Sequence, residues 1–242
     1  MQQTQTAIAE ATNGTIPPLV HGERLTRAEF ERRYDAMPNL KKAELIEGVV
    51  YMPSPVRFEQ HGVPHMDLIL WLGTYRVSTP GTAGAVETSV RLGDSSMPQP
   101  DVTMFIRPEN GGRVRISADD YVENGPELVA EVAASSIPLD TRLKLQMYLH
   151  YDVQEYIIWR VPDQEIDWFV RRDGQYVRLT PDADGRLRSE VFPGLWLDTD
   201  ALIRGDLAQV LSILQHGLAT AEHAAFVSGL NPPQLDRLER AE

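Results

Sequence analysis

The chain contains no cysteine in 242 residues. That excludes disulfides, thiolate zinc sites and cysteine nucleophiles, and it fits a reducing cytoplasm. Long apolar runs are missing too. None approaches the roughly 20 residues a membrane helix needs, so no membrane partner is expected. Residues 1–15 lack the basic-then-apolar order of a secretory signal, and a cytoplasmic location is the expectation. Positive charge is short: 23 Lys and Arg stand against 35 Asp and Glu, a net charge of −12. Proteins that grip nucleic acid mainly through its phosphates carry a basic patch. This balance argues against tight non-specific binding, but it leaves room for a local basic groove or for acids offset by metal ions. No glycine-rich phosphate loop follows a strand pattern, so dinucleotide or P-loop binding has no support. No internal repeat is evident.

What is present is 42% apolar residues, enough for one large core. Residues 1–20 are polar and aperiodic and read as a flexible tail. "LTRAEFERRYDAMP" predicts a helix, with Thr26 and Glu29 in capping-box spacing. Pro64 suits a first helical turn, and Met66, Ile69, Leu70 and Tyr75 predict the buried face of the helix that follows. "AVETSVRL", "PQPDVTMFI", "ELVAEVAAS" and "EYIIWRV" read as strands. "LDTRLKLQMYLHY" between the last two reads as a crossover helix. It carries Leu139, Leu143, Met147 and His150 on one side, and Asp140, Lys144 and Tyr148 on another. Asp-Gly in "RDGQ" predicts a hairpin. From residue 200 the texture becomes helical, with Leu207, Val210, Leu211 and Leu214 on one face and "NPP" as the stop. The order predicts an α/β fold, a mixed central sheet flanked by helices, over residues 21–199. Residues 200–242 form a helical extension expected to pack on its own domain or on a second copy, as in a homodimer.

Two lone acids stand out. Asp101 sits between Pro100 and an apolar strand, and Glu131 lies inside "ELVAEVA". A carboxylate taken out of water costs several kcal/mol unless it is paired or coordinates something. Strand alternation puts Glu131 on a face with Glu127, Val129 and Ala133, and Asp101 with Thr103 and Phe105. Adjacent strands would let the two acids converge as a hard-oxygen site suited to Mg²⁺ or Mn²⁺. Read alone, Asp101 is more often a turn or strand-start residue. Lys144 alone is a surface helix residue paired with Asp140, although it could reach the acids and support a metal-activated water.

These segments resemble a known family. "ELIEGVVYMPSP", "PQPDV", "ELVAEVAASS" and "DTRLKLQMYLHYDVQEYIIW" together look like the Uma family of restriction endonucleases, within the PD-(D/E)xK nuclease superfamily. The likeness runs from about residue 25 to residue 197. It implies a restriction-endonuclease-like fold and Mg²⁺- or Mn²⁺-dependent hydrolysis of DNA. By the same resemblance, Asp101, Glu131 and Glu44 bind metal and Lys144 completes the catalytic set; Glu47, in the same segment as Glu44, is the alternative third acid. One position departs from the superfamily pattern. The lysine usually lies two residues after the second acid, where this chain has Ala133, and the resemblance implies that Lys144 replaces it. Without a cation, Asp101, Glu131 and Glu44 would repel one another, so neutralising Asp101 is expected to leave stability equal or higher.

Rival readings are a non-catalytic binding or regulatory protein that keeps the fold, and a structural module assembled through the tail. His61 and His65 have ligand spacing, but Gly62 and Pro64 between them place His61 before the helix, off the His65 face. Trp159, Trp168 and Trp196 read as core rather than stacking platforms. Arg171 and Arg172 read as a solvated strand end or a phosphate contact.

Overall fold

The structure is a computed structural model and describes residues 16–134 and 136–230. Of the tail expected over residues 1–20, residues 1–15 lie outside the described residues, as does the stop at residues 231–233. Leu19 is already buried, beside Phe30, Leu45 and Val50. The first half of the chain runs α1 (Arg27–Asp35), β1 (Glu44–Ile46), β2 (Val49–Tyr51), α2 (Val63–Ser78), β3 (Thr82–Val86), β4 (Val90–Arg91), β5 (Val102–Ile106), β6 (Arg115–Ile116) and β7 (Val122–Glu123). Then follow β8 (Leu128–Ala133), α3 (Leu145–His150), β9 (Glu155–Arg160), β10 (Glu165–Arg172), β11 (Gln175–Arg178), β12 (Leu187–Arg188), β13 (Trp196–Leu197), α4 (Thr199–Ile203), α5 (Leu207–Leu218) and α6 (Ala221–Leu230).

Six strands form a mixed sheet in the order β11-β10-β9-β8-β5-β3. Within this sheet, among the described residues, only β8 and β9 are parallel, and α3 lies in the connection between them, as parallel neighbours require a crossover. The other pairs are antiparallel. The hairpin from β10 to β11 turns on Asp173 and Gly174, both at positive φ, which is the backbone that favours Asp-Gly.

Side-chain alternation in β8 splits the interior in two. Leu128, Ala130 and Val132 face a core built with α2 and the C-terminal helices. Val129 and Ala133 face a second core with Met147 and Tyr148 of α3. Glu131 shares the latter parity and is therefore on the α3 face. Thr26 Oγ1 accepts the Glu29 N–H at 3.3 Å and caps α1. The Glu29 side chain, however, pairs with Arg32 and Arg33, so half of the expected capping box forms.

The buried face of α2 differs from the expectation. Pro64, Asp67, Leu68, Trp71, Leu72 and Tyr75 point inward, a 3-4 spaced stripe, while Met66 is 63% exposed and Leu70 38%. The nearly unbroken apolar run made several faces look alike, and the two tryptophan and tyrosine rings decided the choice. Trp71 donates to Trp196 O at 3.0 Å, and Tyr75 to Pro193 O at 2.9 Å.

The three C-terminal helices pack on the same core. Asp198 and Asp206 cap α4 and α5, and Ala201, Leu202, Val210 and Leu214 are fully buried against the core containing Trp71 and Trp168. Gly217 permits the contact: a Cβ there would fall 2.2 Å from the Gly194 carbonyl oxygen.

Candidate active site

β5 and β8 bring the two lone acids together. Val102 pairs with Ala130, so Asp101 and Glu131 occupy the next step of the register. The Asp101 N–H points at Glu131 Oε2 at 3.4 Å, and the Val132 N–H donates to Asp101 Oδ2 at 2.8 Å. Both side chains are almost wholly buried.

A wide π-helical turn, Leu139–Lys144, runs into α3. Together with α3 it presents Asp140, Lys144 and Tyr148 to the sheet. On the other side Met147 is buried, while Leu143 is 42% exposed and His150 is exposed. Lys144 is not a surface residue. Its Nζ lies 2.8 Å from Glu131 Oε1, 3.0 Å from Glu44 Oε1 and 3.6 Å from Asp140 Oδ1. Tyr148 Oη donates to Glu131 Oε1 at 3.0 Å. The stripe turns inward because a buried lysine with several carboxylate partners recovers what desolvation costs, whereas an idle one does not.

Glu44 opens β1 and accepts the Gln99 N–H at 2.8 Å. Glu47 sits in the tight turn after β1 at positive φ, is exposed, and has Ser96 as its partner. Of the two acids in "ELIEG", Glu44 alone joins the cluster.

Three groups were not read from the sequence as part of this cluster. Asp140 closes the lysine cage, with Ser136 Oγ donating to its other oxygen. Lys42 Nζ lies 3.6 Å from Asp101 Oδ1. His61 Nε2 lies 3.3 Å from Asp101 Oδ2. The separation expected of His61 and His65 does not occur. A π-helical turn, Phe58–Gly62, leads directly into α2, and the two rings meet edge to face at 5.4 Å. His65 Nε2 is 3.0 Å from the Asp101 carbonyl oxygen. The H-x-x-x-H spacing was the available signal for His61. For Lys42 it was the two-residue offset from Glu44 in an extended segment, which puts both on one face.

The charges are unequal. Four buried carboxylates, Glu44, Asp101, Glu131 and Asp140, face two lysines, Lys42 and Lys144. Burial pushes the Glu131 carboxyl up to about 8, Lys144 opposes the rise, and Asp101, Asp140 and Glu44 add to it. Burial also raises Asp140, against Lys144. Burial would raise Asp101 as well, but the His61 hydrogen bond, the Lys42 charge and the Val132 N–H outweigh it and hold this carboxyl well below the usual range. Lys144 stays protonated: its acids more than offset its burial.

Among the described residues, no three His, Asp or Glu side chains form a ready-made metal cage. The donor chemistry nevertheless fits a hard divalent cation. Mg²⁺ commonly takes one or two protein carboxylates and completes its shell with water and substrate phosphate. Asp101 and Glu131 offer such a pair, in a cluster with more acid than base.

A cavity of about 320 Å³ between α2 and β3 is lined by Ile69, Gly73, Arg76 and Val86 among others, with no carboxylate or imidazole. Arg171 and Arg172 pair with Asp152 and Glu190. Trp159 and Trp168 are buried, and half-buried Trp196 lies under the Arg188 guanidinium.

A mixed sheet with two central acids on adjacent strands and a buried lysine on the crossover helix defines a restriction-endonuclease-like α/β protein. The chain belongs to the Uma2 family, described as "Putative restriction endonuclease", whose profile matches residues 27–200. Among solved structures it is similar to the crystal structure of a "putative nuclease belonging to DUF820" from Anabaena variabilis. The TM-score is 0.53 and the identity 14%, over 71% of this chain and 97% of that one; at that identity the likeness is one of fold. No curated protein matches the chain.

Proposed function

We propose that the chain hydrolyses phosphodiester bonds in DNA with the help of Mg²⁺ or Mn²⁺. The observation that carries this reading is the cross-strand placement of Asp101 beside Glu131, with Lys144 2.8 Å from Glu131. Asp101 and Glu131 would hold the cation, and Glu44 would assist through Lys144, which it shares with Glu131. A divalent cation there would supply Lewis-acid polarisation of the phosphate and make a water easier to deprotonate for attack. Lys144 offsets the surplus of acid and fixes the orientation of the Glu131 carboxylate. Tyr148 holds the same oxygen from the next turn of the helix. None of these side chains is placed to act as a covalent nucleophile, so direct attack by water is the expected route.

The test is cleavage of plasmid DNA in Mg²⁺ or Mn²⁺, lost with a chelator and in Asp101→Ala that remains folded. Cleavage that survives both would remove Asp101 from the chemistry.

A second reading, a non-catalytic binding protein that keeps the fold, is favoured by one observation. Lys144 contacts three of the four acids and so supplies a cation of the chain's own to balance them. Absence of cleavage together with absence of metal binding would select it.

A further inference from the structure

We propose that Lys42, beside His61, forms the subsite that receives the substrate phosphate, and that Lys144 is a positioning residue that does not touch the substrate. This rests on the phosphodiester reading above.

The two lysines differ in what their ammonium groups still have to offer. Lysine has three N–H donors. Lys144 Nζ donates to Glu131 at 2.8 Å and lies 3.0 Å from Glu44 and 3.6 Å from Asp140, and its side chain is 4% exposed. Turning one donor toward a substrate would leave a buried carboxylate without its partner, which is costly. Lys42 is placed otherwise. Its side chain is 23% exposed, and its Nζ lies 3.6 Å from Asp101 and 4.0 Å from Glu87. Both distances exceed a hydrogen bond. Among the described residues, then, its charge is balanced while its donors remain available.

The position is also suitable. Lys42 approaches Oδ1 of Asp101 and His61 approaches Oδ2, with the His61 side chain 16% exposed. The Asp101 carboxylate thus lies between two partly exposed nitrogen groups, whereas Glu131, Lys144 and Asp140 lie behind it. An anionic substrate meets a field of four carboxylates in this cluster, and a cation on the solvent side is what makes a close approach tolerable. Lys42 also enters from the segment leading into β1, two residues before Glu44. One short extended stretch therefore delivers an acid to the interior of the site and a base to its mouth.

The probe is a fluorescein-labelled phosphorothioate DNA duplex, with binding read by anisotropy in Ca²⁺ over a range of salt concentrations. A lost phosphate contact makes the slope of log affinity against log salt shallower by about one. Lys42→Gln is expected to bind several-fold more weakly with that shallower slope, and Lys42→Arg to keep the wild-type slope. A merely structural lysine would change the melting temperature and leave the slope alone. Lys42→Gln with wild-type slope and affinity, or a wild type without salt-dependent binding, overturns the subsite. A wild type whose slope depends on Lys42 but which never cuts DNA leaves the phosphate subsite standing and overturns the hydrolytic reading instead.

Discussion

Asp101 and Glu131 face each other across β5 and β8, yet their carboxyls are driven in opposite directions. Val132, His61 and Lys42 hold the Asp101 carboxyl low. Burial among Asp101, Asp140 and Glu44 pushes Glu131 up to about 8 even with Lys144 beside it. The repulsion expected among the three acids therefore falls on Glu131. Asp101 has the surroundings of a supported anion, so relief on neutralising Asp101 is no longer the expected result.

Opposite pH signatures follow. The depressed Asp101 carboxyl contributes stability that is present above its ordinary value of 3.8 and lost as the pH falls through its folded value. Asp101→Asn should therefore lower the metal-free melting temperature at neutral pH, with the gap closing in strong acid. Glu131 works the other way. Between its ordinary 4.5 and about 8, the folded chain keeps a proton that the unfolded chain has released, so this group lowers stability as pH rises. Glu131→Gln should flatten that decline and match or exceed the wild type near pH 8. Metal-free melts of the three proteins across pH decide the matter; a Glu131→Gln variant that loses ground as pH rises would contradict the assignment.

Lys144→Met keeps most of the side-chain volume but leaves Glu131, Glu44 and Asp140 without their shared cation. Breaking a buried pair by removing one partner costs about 3–5 kcal/mol, and this cage has three acids. Denaturant unfolding should register a loss of that order. A change within about 0.5 kcal/mol, as for an ordinary surface substitution, would mean that the cage does not form.

The C-terminal helices should prove inseparable from the sheet. Leu214 is fully buried in the core that includes Trp71, and Leu→Ala at such a site costs about 2–5 kcal/mol. Leu214→Ala should show a loss in that range by chemical denaturation, and truncation at residue 199 should give an aggregating or unfolded chain. A truncated chain that stays monomeric and folded would show that α4–α6 contribute little to the core.

Much of this arrangement was legible in the sequence, because local patterns and tertiary demands coincide there. The strand around Glu131, the crossover helix, the Asp-Gly hairpin and the helical C-terminus all follow from periodicity and turn chemistry. The choice between Glu44 and Glu47 was not legible. It depends on a tight turn that sends Glu47 to solvent while Gln99 and Lys144 hold Glu44 inside. The inward face of the crossover helix also resisted reading, since Asp140 and Lys144 look like a surface pair until four carboxylates are seen to converge. His61 was misplaced because Gly62 and Pro64 resemble a helix boundary, whereas a π-helical turn carries the chain through them. Lys42 has only its two-residue offset from Glu44 as a local signal, and the fold brings it to Asp101.

Direct binding of Mn²⁺ most sharply tests the central claim, that Asp101 and Glu131 share one divalent cation. Titration calorimetry should give a single site in the wild type, with binding lost or weakened at least tenfold in both Asp101→Asn and Glu131→Gln while each remains folded. Thermal melts should agree: a hundredfold excess of Mn²⁺ over its dissociation constant should stabilise the wild type by about 2.7 kcal/mol and the variants by much less. Wild-type Mn²⁺ affinity in either folded variant, or no Mn²⁺ binding to the wild type, would contradict the claim.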